Sequence, residues 1–444
     1  MQWFGRRYCR IISDDWTYFP MRVLLISSNT EHINIVPLPL GLNCVAVATR
    51  NAGHEVRLLD LMEEADSELA IRKVLASFQP DVIGISVRNI DNQSMVQPAF
   101  LLDQVKGVVK CSRQNSQAHI ILGGAGYSIF PESCLTYLEA DMGIQGEGEA
   151  AFPMLLQHLE CGAELSGVPG LYLRDCGLQT KRRFSSNLDE LPLPDEAMWK
   201  MPGADKDDFG IPVQTRRGCP MDCSYCSTAQ IEGRAIRKRS PDLVTESLAR
   251  HVSRGYRRFY FVDNTFNLPL AYAKDLCRNI IDKKLEISWR CIIYPGIIDE
   301  EFADLLVKSG CAEVSLGFES GCERINRILN KKFHPDSVRR TSQMLKSRGI
   351  RQLGFLMLGS PGETRESACE SLAFADSLDL EAMKINIGVR IYPQTALSKI
   401  AIDHGLIHPD DNLLFPRFYV VRELENWLTE TVRLWIKDRP HWMA

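Results

Sequence analysis

The chain has 444 residues, of which 45% are hydrophobic and 24% charged, and its formal net charge is -4. This length supports at least two cores of ordinary size, and the charge excludes a generally basic nucleic-acid binder and a long disordered acidic tail. No apolar run approaches the ~20 residues that cross a bilayer, and the N-terminus lacks the apolar stretch of a secretory signal. A cytoplasmic location is therefore expected.

The first half of the chain alternates short apolar runs with amphipathic segments. Strands are predicted at 22–27, 55–60, 81–86, 119–124 and 142–145, with helices over 40–52 and after the turn at 146–149. This alternation predicts a doubly wound, Rossmann-like parallel sheet over residues 21–165, behind an N-terminal extension of residues 1–20. Ligands of such sheets bind beyond the carboxyl ends of the strands. None of the turns there has the G-x-G-x-x-G spacing, so a dinucleotide is not indicated.

The second half resumes the same alternation after a stretch rich in Pro and charge, which predicts a linker over residues 166–210. Six strands are predicted at 213–218, 258–263, 287–293, 313–318, 352–358 and 385–391, and helices at 241–254, 298–309, 322–330 and 364–378. This pattern predicts a partial (β/α)6 TIM-like barrel over 211–400, with its chemistry at the carboxyl ends of the strands. The remaining residues, 401–444, are predicted as a short helical cap.

Three cysteines stand in a C-x3-C-x2-C pattern after the first predicted barrel strand, at Cys219, Cys223 and Cys226. Structural zinc is normally closed by four ligands, and the nearest histidine, His251, is far along the chain. Cysteine thiolates are also the usual ligands of iron–sulfur clusters. Three of them would leave one iron of a four-iron cluster open to a substrate or cosubstrate. The spacing therefore favours a cluster, and zinc remains the alternative.

The scattered cysteines lack ligand spacing and are predicted to be small buried hydrophobic residues. They include Cys44, Cys111, Cys134, Cys161, Cys277 and Cys369.

With Tyr225 directly before the last cysteine, the motif resembles that of the radical S-adenosylmethionine (SAM) superfamily. Later segments resemble further motifs of that family in the same order: FVDNTFN (261–267), LGFESG (316–321), GFLMLGSPGET (354–364) and RIYPQTAL (390–397). The resemblance implies a 4Fe-4S cluster on the three cysteines whose open iron binds SAM. It also implies that an electron from the cluster cleaves SAM to a deoxyadenosyl radical, which abstracts hydrogen from an unactivated carbon. The implied SAM-binding residues are Tyr225, Asp263, Asn264, Glu319, Ser320, Gly359 and Arg390.

The first half resembles the N-terminal domain of the cobalamin-dependent branch of this superfamily, at PLPLGLNCVA (37–46), AGHEVRLLD (52–60), DVIGIS (81–86), LGGAGYS (122–128) and GEGE (146–149). The D-x-H-x-x-G motif that supplies a cobalt ligand in many cobalamin proteins is absent. His32, His54 and His119 are expected to be surface or strand-end residues. The resemblance implies cobalamin without a histidine ligand, with the loop VRNIDNQ facing cobalt. The implied cobalamin-binding residues are Ser86, Asn89, Asp91, Gly123, Gly124, Gly126, Gly146 and Glu147.

The resemblance implies an enzyme that transfers a methyl group from methylcobalamin to an unactivated carbon or phosphorus. A radical rearrangement or cyclisation without methylation would begin with the same hydrogen abstraction, and the sequence does not separate the two. An iron–sulfur redox sensor is disfavoured by the intact SAM motifs. Methylthiolation is disfavoured because Cys44, Cys111 and Cys134 share no ligand spacing.

The expected partners are a substrate and an external electron donor of the flavodoxin or ferredoxin kind. The short segment after residue 400 favours a small molecule or lipid precursor over a peptide, and no nucleic-acid partner is expected. The basic run GRAIRKRS (233–240) is predicted as a solvated face, with a phosphate or carboxylate substrate as the alternative.

Overall fold

The computed structural model describes residues 20–31, 38–198 and 210–444. The chain divides into two compact units. The first comprises the described residues of 1–92, 100–202 and 230–232, and the second those of 93–99, 203–229 and 233–444. All of the predicted N-terminal extension except Pro20 lies outside the described residues, as does His32.

The first unit contains the strands that the sequence predicted, with ends that differ by a residue or less. Its strands are β1 (Arg22–Ser27), β2 (Glu55–Asp60), β3 (Val82–Ser86), β4 (His119–Gly123), β5 (Met142–Ile144), β6 (Leu171–Leu173) and β7 (Gly177–Leu178). Its helices are α1 (Leu40–Asn51), α2 (Ser67–Phe78), α3 (Leu102–Asn115), α4 (Ala125–Ile129), α5 (Pro131–Leu138) and α6 (Gly148–Cys161).

The described strands of this unit form one sheet in the order β2-β1-β3-β4-β5-β6-β7. The first five are parallel, and β6 and β7 join antiparallel at the edge. The strand order reverses between β1 and β3. In a doubly wound sheet this is the point where a crevice for a ligand opens beyond the carboxyl ends. The predicted doubly wound fold is confirmed.

Burial explains why the apolar runs form strands here. Val23 to Ile26 of β1 are each at most 1% exposed, as expected for a parallel strand covered by helices on both faces. Helix α2 shows the complementary pattern. Asp66 accepts a hydrogen bond from the Leu69 amide at its start, and Ile71, Leu75 and Phe78 form its buried stripe.

The predicted linker is too long, because its first part belongs to this sheet. Strands β6 and β7 form a hairpin, and Asp175 and Gly177 in its turn have positive φ values of 67° and 69°. Strands this short are hard to recognise in a sequence rich in charge and turn residues. The first unit therefore continues well past the predicted boundary at residue 165.

From residue 210 onward the structure has the strands β8 (Ile211–Val213), β9 (Arg216–Arg217), β10 (Arg237–Lys238), β11 (Arg258–Phe261), β12 (Ser288–Ile293), β13 (Cys311–Glu319), β14 (Arg351–Leu358), β15 (Ala382–Ile387), β16 (Val389–Arg390), β17 (Phe418–Tyr419) and β18 (Trp442–Met443). The helices are α7 (Thr228–Glu232), α8 (Pro241–Ser253), α9 (Leu270–Asp282), α10 (Glu300–Lys308), α11 (Glu323–Ile328), α12 (Pro335–Lys346), α13 (Arg365–Ser377), α14 (Ala396–Asp403) and α15 (Glu425–Ile436).

The main sheet of the second unit is parallel, in the order β8-β11-β12-β13-β14-β15-β18. Six of these strands follow one another in chain order, which confirms the predicted β/α architecture. Two details differ from the prediction. The first strand ends at Val213, and Arg216–Arg217 instead pairs antiparallel with β10. The C-terminal segment, predicted as a helical cap, contains α15 but also adds β18 beside β15.

The two faces of this sheet differ in what covers them. Phe318 of β13 packs against Phe374 of α13, with ring centroids 5.6 Å apart, and Trp289 of β12 is 1% exposed in an aromatic cluster with Phe261 and Phe266. These residues define the helix-covered face. Because side chains alternate along a strand, their neighbours in sequence lie on the opposite face, which we call the inner face.

The scattered cysteines follow the prediction only in part. Those at 44, 111, 134 and 277 are buried, whereas Cys161 and Cys369 are exposed near helix surfaces. Among the described residues, no helix combines the length and the apolar character needed to span a membrane.

Candidate functional site

The three motif cysteines lie in the loop that follows β9, and each is half-buried. Gly218, directly before the motif, has a φ of +91°, and a Cβ there would stand 2.1 Å from the Ala235 carbonyl oxygen. Only glycine allows this approach. It lets the Cys219 amide donate to the Gly233 carbonyl at 3.1 Å, which fixes the start of the loop.

The middle of the cysteine loop is held from two other segments. The Ser224 amide donates to the Leu329 carbonyl at 3.0 Å, and the Ser224 carbonyl accepts from the Leu397 amide at 2.8 Å. Near its end, the Thr228 hydroxyl and the Cys226 sulfur are 3.2 Å apart. The loop therefore keeps its three thiols in place through backbone contacts.

The three thiols are close enough to affect one another. Burial raises the pKa of Cys223 to about 11, the ammonium of Lys331 opposes this, and Cys226, Glu319 and Cys219 add to it. No group of three His, Cys, Asp or Glu side chains within 20–31, 38–198 and 210–444 surrounds a position for one metal ion. A mononuclear zinc site needs such a convergence, whereas the thiolates of a four-iron cluster bind different irons. This donor set fits the cluster better.

Glu319, at the end of β13, lies within reach of this loop. Its Oε1 accepts a hydrogen bond from the Tyr225 hydroxyl at 3.0 Å and another from Lys331 Nζ, also at 3.0 Å. Glu319 has a φ of +60° beside a register shift between β13 and β14. A non-glycine residue in this conformation is strained, and such strain is concentrated at functional sites.

Lys331 was missed by the sequence analysis. Its side chain is 6% exposed against 12% for Glu319, and its ammonium lies 5.5 Å from the ring centroid of Tyr225. Burial alone would lower the pKa of Lys331, but Glu319, Tyr225 and Cys223 together raise it well above its ordinary value. Burial and the same carboxylate raise the pKa of Tyr225. The site therefore holds a buried cation and a buried anion side by side.

Asp263 lies just after β11, at the strand end that the resemblance implied, and its carboxylate is engaged by neighbouring protein groups. It is fully buried, its Oδ1 accepts from the amides of Thr215 at 2.8 Å and Arg216 at 3.0 Å, and its Oδ2 accepts from the Thr215 hydroxyl at 2.6 Å. The Arg216 guanidinium lies 3.3 Å from the same carboxylate, and this pair is 3% and 0% exposed. Asp263 thus fixes the chain that enters the cysteine loop, and its predicted contact with SAM stays a prediction.

Asp263→Ala is therefore expected to destabilise the second unit. Removing one partner of a buried ion pair costs roughly 3–5 kcal/mol, because the remaining charge stays buried. The thermal unfolding transition of this unit should move down by several degrees, as followed by calorimetry. Asp282→Ala, at an exposed position of α9, is the control and should leave the transition unchanged. An equal response of the two variants would contradict the structural assignment.

Ser320 is also committed to the fold. Its hydroxyl lies 2.8 Å from that of Ser371 and accepts from the Cys322 amide at 3.1 Å, and the residue is fully buried. The predicted contact of Ser320 with SAM stays a prediction. The sequence motif was recognised correctly, but burial gives this serine the role of holding the turn after β13.

The other predicted SAM-binding residues lie at strand ends of the second unit. Asn264 is half-buried after β11. Gly359, after β14, has a φ of +92°. Arg390 is 5% exposed, and its guanidinium donates to the carbonyls of Ile391 at 2.6 Å and Leu413 at 2.8 Å. Arg390 therefore stabilises the C-terminal segment through the Leu413 carbonyl.

In the first unit, the glycine turn after β4 packs on the loop after β3. A Cβ on Gly124, whose φ is +99°, would stand 2.6 Å from the Val87 carbonyl oxygen. A Cβ on Gly126 would lie 3.1 Å from the same oxygen, and the Gly126 amide donates to it at 3.0 Å. These glycines are needed by the protein backbone itself, and their implied contact with cobalamin stays a prediction.

Gly123 is different, because a Cβ there would meet nothing within 4 Å. It is the last residue of β4, half-buried, at the carboxyl edge of the sheet near the strand-order reversal. Ser86, at the end of the neighbouring β3, pairs with it in register. This open cradle fits the ligand that the resemblance implies.

The remaining predicted cobalamin-binding residues also lie at this edge. Asn89 is half-buried, and Asp91 is 4% exposed and bridges to Phe100. Glu147 accepts from the Ser185 amide at 2.8 Å, and Gly146 has a φ of +97°.

The two described histidines considered for this unit lie at the opposite, amino ends of strands. His54 precedes β2, is 5% exposed and accepts from the Met21 amide at 3.3 Å, so its predicted strand-end position is confirmed although it is not on the surface. His119 begins β4.

The basic run 233–240 is only partly a solvated face. Arg234 is exposed and pairs with Asp222 at 2.8 Å, but Arg237 and Arg239 are 8% and 4% exposed. The prediction of a solvated face is wrong for these two arginines. The run contains β10, and the Arg239 amide donates a hydrogen bond to the Thr215 carbonyl at 2.9 Å.

Comparison with known families gives two matches. Residues 213–375 match the Radical SAM superfamily, and residues 27–156 match the B12 binding domain. The first match contains the cysteine loop, Glu319 and Lys331, and the second contains the open cradle at Gly123.

Individual proteins match most of the chain. An uncharacterized methyltransferase of Pyrococcus horikoshii, PH0819, is 30% identical over 401 residues, covering 87% of this chain and 84% of its own. Cytidylyl-2-hydroxyethylphosphonate methyltransferase of Streptomyces wedmorensis is 26% identical, covering 84% and 80%. A solved structure of a radical S-adenosylmethionine methyltransferase, TsrM from Kitasatospora setae, with cobalamin and a [4Fe-4S] cluster, superimposes with a TM-score of 0.77 at 22% identity, covering 88% and 76%.

Proposed function

The chain belongs to the cobalamin-dependent radical SAM methyltransferase family, and on this basis we propose that it methylates an unactivated carbon or phosphorus of a small-molecule or lipid-precursor substrate. The family uses a 4Fe-4S cluster, SAM and cobalamin. When bound, the cluster and SAM supply a radical that removes hydrogen from the substrate, and cobalamin supplies the methyl group. The observation that carries the proposal is the buried Glu319–Lys331 pair beside three cysteines on one loop.

We assign the cluster to Cys219, Cys223 and Cys226. Backbone contacts hold their loop at Cys219 and Ser224, so the sulfurs do not need to be ordered when iron binds. Metal binding to a preformed set of donors avoids that ordering cost.

We assign the amino-acid part of SAM to Glu319 and Lys331. This part of SAM carries an ammonium and a carboxylate, and the pair offers an acceptor for the first and a donor for the second. Both side chains are almost fully buried, where interactions between charges are weakly screened. Tyr225, which donates to Glu319, keeps the carboxylate oriented.

We assign cobalamin to the carboxyl edge of the first sheet. Two observations support this assignment: the open space beside Gly123 and the reversal of strand order between β1 and β3. Within the described part of the matched B12 domain, the histidines considered for cobalt lie at the wrong ends of their strands. We therefore expect the cobalt to carry no histidine ligand from this domain, which electron paramagnetic resonance of the cob(II)alamin form would show as the absence of nitrogen splitting.

Gly123→Leu is expected to abolish cobalamin uptake, because its side chain would fill the space left open at the end of β4. Iron content should stay that of the wild type. Gly107→Leu is the matched control, since a Cβ at this exposed glycine of α3 also meets nothing within 4 Å. Cobalt and iron are measured in each purified protein. Normal cobalt in Gly123→Leu would contradict the assignment of this edge.

The reaction is tested with SAM labelled in its methyl group. Anaerobic turnover with candidate substrates should place the label in the product, and deoxyadenosine should accumulate, because one SAM donates the methyl group and another is the radical source. A product that forms with deoxyadenosine but without label would contradict methyl transfer and indicate a rearrangement or cyclisation. We expect a flavodoxin- or ferredoxin-like protein to supply the electron.

A further inference from the structure

The inner face of the second sheet carries a lysine that the proposed function has not used. Lys384 is the third residue of β15, and its register neighbour on β14 is Phe355, which in turn faces Gly317 on β13. The residues next to Lys384 in β15, Met383 and Ile385, are fully buried on the helix-covered face. Because side chains alternate along a strand, Lys384 lies on the inner face.

Lys384 is half-buried, and its side chain has no hydrogen bond or ion pair with any residue of the described ranges. Burial lowers its pKa, and no carboxylate opposes this effect. Asn386, two residues further along the same face, likewise makes no side-chain hydrogen bond within the described part of the chain. Within the described part of the chain, this amine and this amide are therefore free to donate hydrogen bonds to a ligand.

Two other partly or fully buried cations of the second unit show what the Lys384 side chain lacks. Lys331 lies 3.0 Å from the Glu319 carboxylate. Arg290 lies 3.8 Å from Glu313 and over the ring of Tyr260. A charged group withdrawn from water is stabilised by an opposite charge or by hydrogen bonds. The described residues supply such partners to Lys331 and Arg290 but none to Lys384.

We propose that Lys384 and Asn386 bind an anionic group of the substrate, a carboxylate or a phosphate or phosphonate, with Phe355 packing against the adjoining carbon skeleton. This inference rests on the proposed function and narrows its substrate class. An ammonium and an amide both donate hydrogen bonds, which is the combination that an anion of either kind accepts.

The position of this anion site agrees with a substrate that reaches towards the SAM site. A Cβ on Gly317 would stand 3.0 Å from Glu319 Oε1, so the carboxylate assigned to SAM lies over the same face. Gly317 and Lys384 are two strand spacings apart, about 10 Å at the usual distance between neighbouring strands. This separation matches the length of a small molecule.

The test uses calorimetric titration of the anaerobically reconstituted holoenzyme with phenyl phosphate, phenylacetate and the uncharged phenylacetamide. The wild type should bind at least one of the two anions more tightly than the amide, and which anion it prefers identifies the class. Lys384→Gln should weaken that binding roughly tenfold or more, as expected for a lost hydrogen bond to a charged group. Lys384→Arg should retain most of it. Lys399→Gln, at an exposed lysine of α14, is the matched control and should bind as the wild type does.

Thermal unfolding separates a binding role from a structural one. Lys384→Met removes a half-buried ammonium that pairs with none of the described residues, so the unfolding temperature of this variant should equal or exceed that of the wild type. The proposal is overturned if neither anion binds, if Lys384→Gln binds them as the wild type does, or if Lys384→Met lowers the unfolding temperature. Failure of the wild type to cleave SAM would instead contradict the proposed function alone.

Discussion

Replacing any one of Cys219, Cys223 or Cys226 by alanine is expected to abolish SAM cleavage. Each thiolate would hold a different iron, so two remaining ligands cannot keep a four-iron cluster with one open iron. The anaerobically reconstituted wild type should contain about four irons per chain and each variant far less. Cleavage is measured as deoxyadenosine formed from SAM under reducing conditions.

Cys369→Ala is the matched control for this experiment. Cys369 is an exposed cysteine of α13, away from the cysteine loop in sequence and without ligand spacing. Its replacement should leave iron content and SAM cleavage unchanged. Normal cleavage by any of the three loop variants would show that the motif has been misinterpreted.

Glu319→Gln is expected to weaken SAM binding by roughly ten- to a hundredfold, the cost of losing a hydrogen bond to a charged group. The substitution keeps the size of the side chain but removes the charge that would meet the SAM ammonium and that neutralises Lys331, 3.0 Å away. The affinity is measured by equilibrium binding of SAM to the reconstituted protein.

Two further variants test whether the loss of SAM affinity comes from the Glu319 carboxylate itself. Glu323→Gln changes an exposed carboxylate of α11 that pairs with Arg327, and it should bind SAM normally. Glu319→Gln alone leaves the Lys331 ammonium buried without its partner and should lower the unfolding temperature. Adding Lys331→Met removes that charge as well, so the double variant should regain thermal stability but not SAM affinity. Unchanged SAM affinity in Glu319→Gln would exclude this residue from the SAM site.

The strands were predictable because burial imposes an apolar pattern on them. Val23–Ile26 of β1 is covered on both faces and is continuously apolar, whereas β13 buries Val314, Leu316 and Phe318 in alternation because helices cover only one of its faces. The short pairs were not predictable. Arg216–Arg217 forms a strand through its contacts with Arg237–Lys238, and Trp442–Met443 becomes an edge strand through β15. These pairings depend on residues far away in sequence, so local pattern does not reveal them.

The site was predictable as a set of motifs but not residue by residue. Asp263 and Ser320 stand at strand ends as the resemblance implied, yet their oxygens are used by Arg216 and by Ser371. Lys331 was missed because a lysine in a polar loop resembles an ordinary surface residue. Its burial and its 3.0 Å contact with Glu319 distinguish it, and both depend on the fold.

The glycines of the first unit also show that motifs do not predict the role of each residue. Gly123, Gly124 and Gly126 are equivalent in sequence, but two of them pack on the Val87 carbonyl and one faces open space. A substitution at Gly124 would therefore disturb the loop whether or not a ligand binds, whereas Gly123 tests the ligand itself.

The central claim, that one chain holds both an iron–sulfur cluster and cobalamin at separate sites, is tested most directly by measuring iron and cobalt in the same preparations. After anaerobic reconstitution with both cofactors, the wild type should contain both metals, Cys219→Ala should lose iron and keep cobalt, and Gly123→Leu should lose cobalt and keep iron. A wild-type protein that binds iron but takes up no cobalamin would contradict the account, as would a loss of both metals in either folded variant.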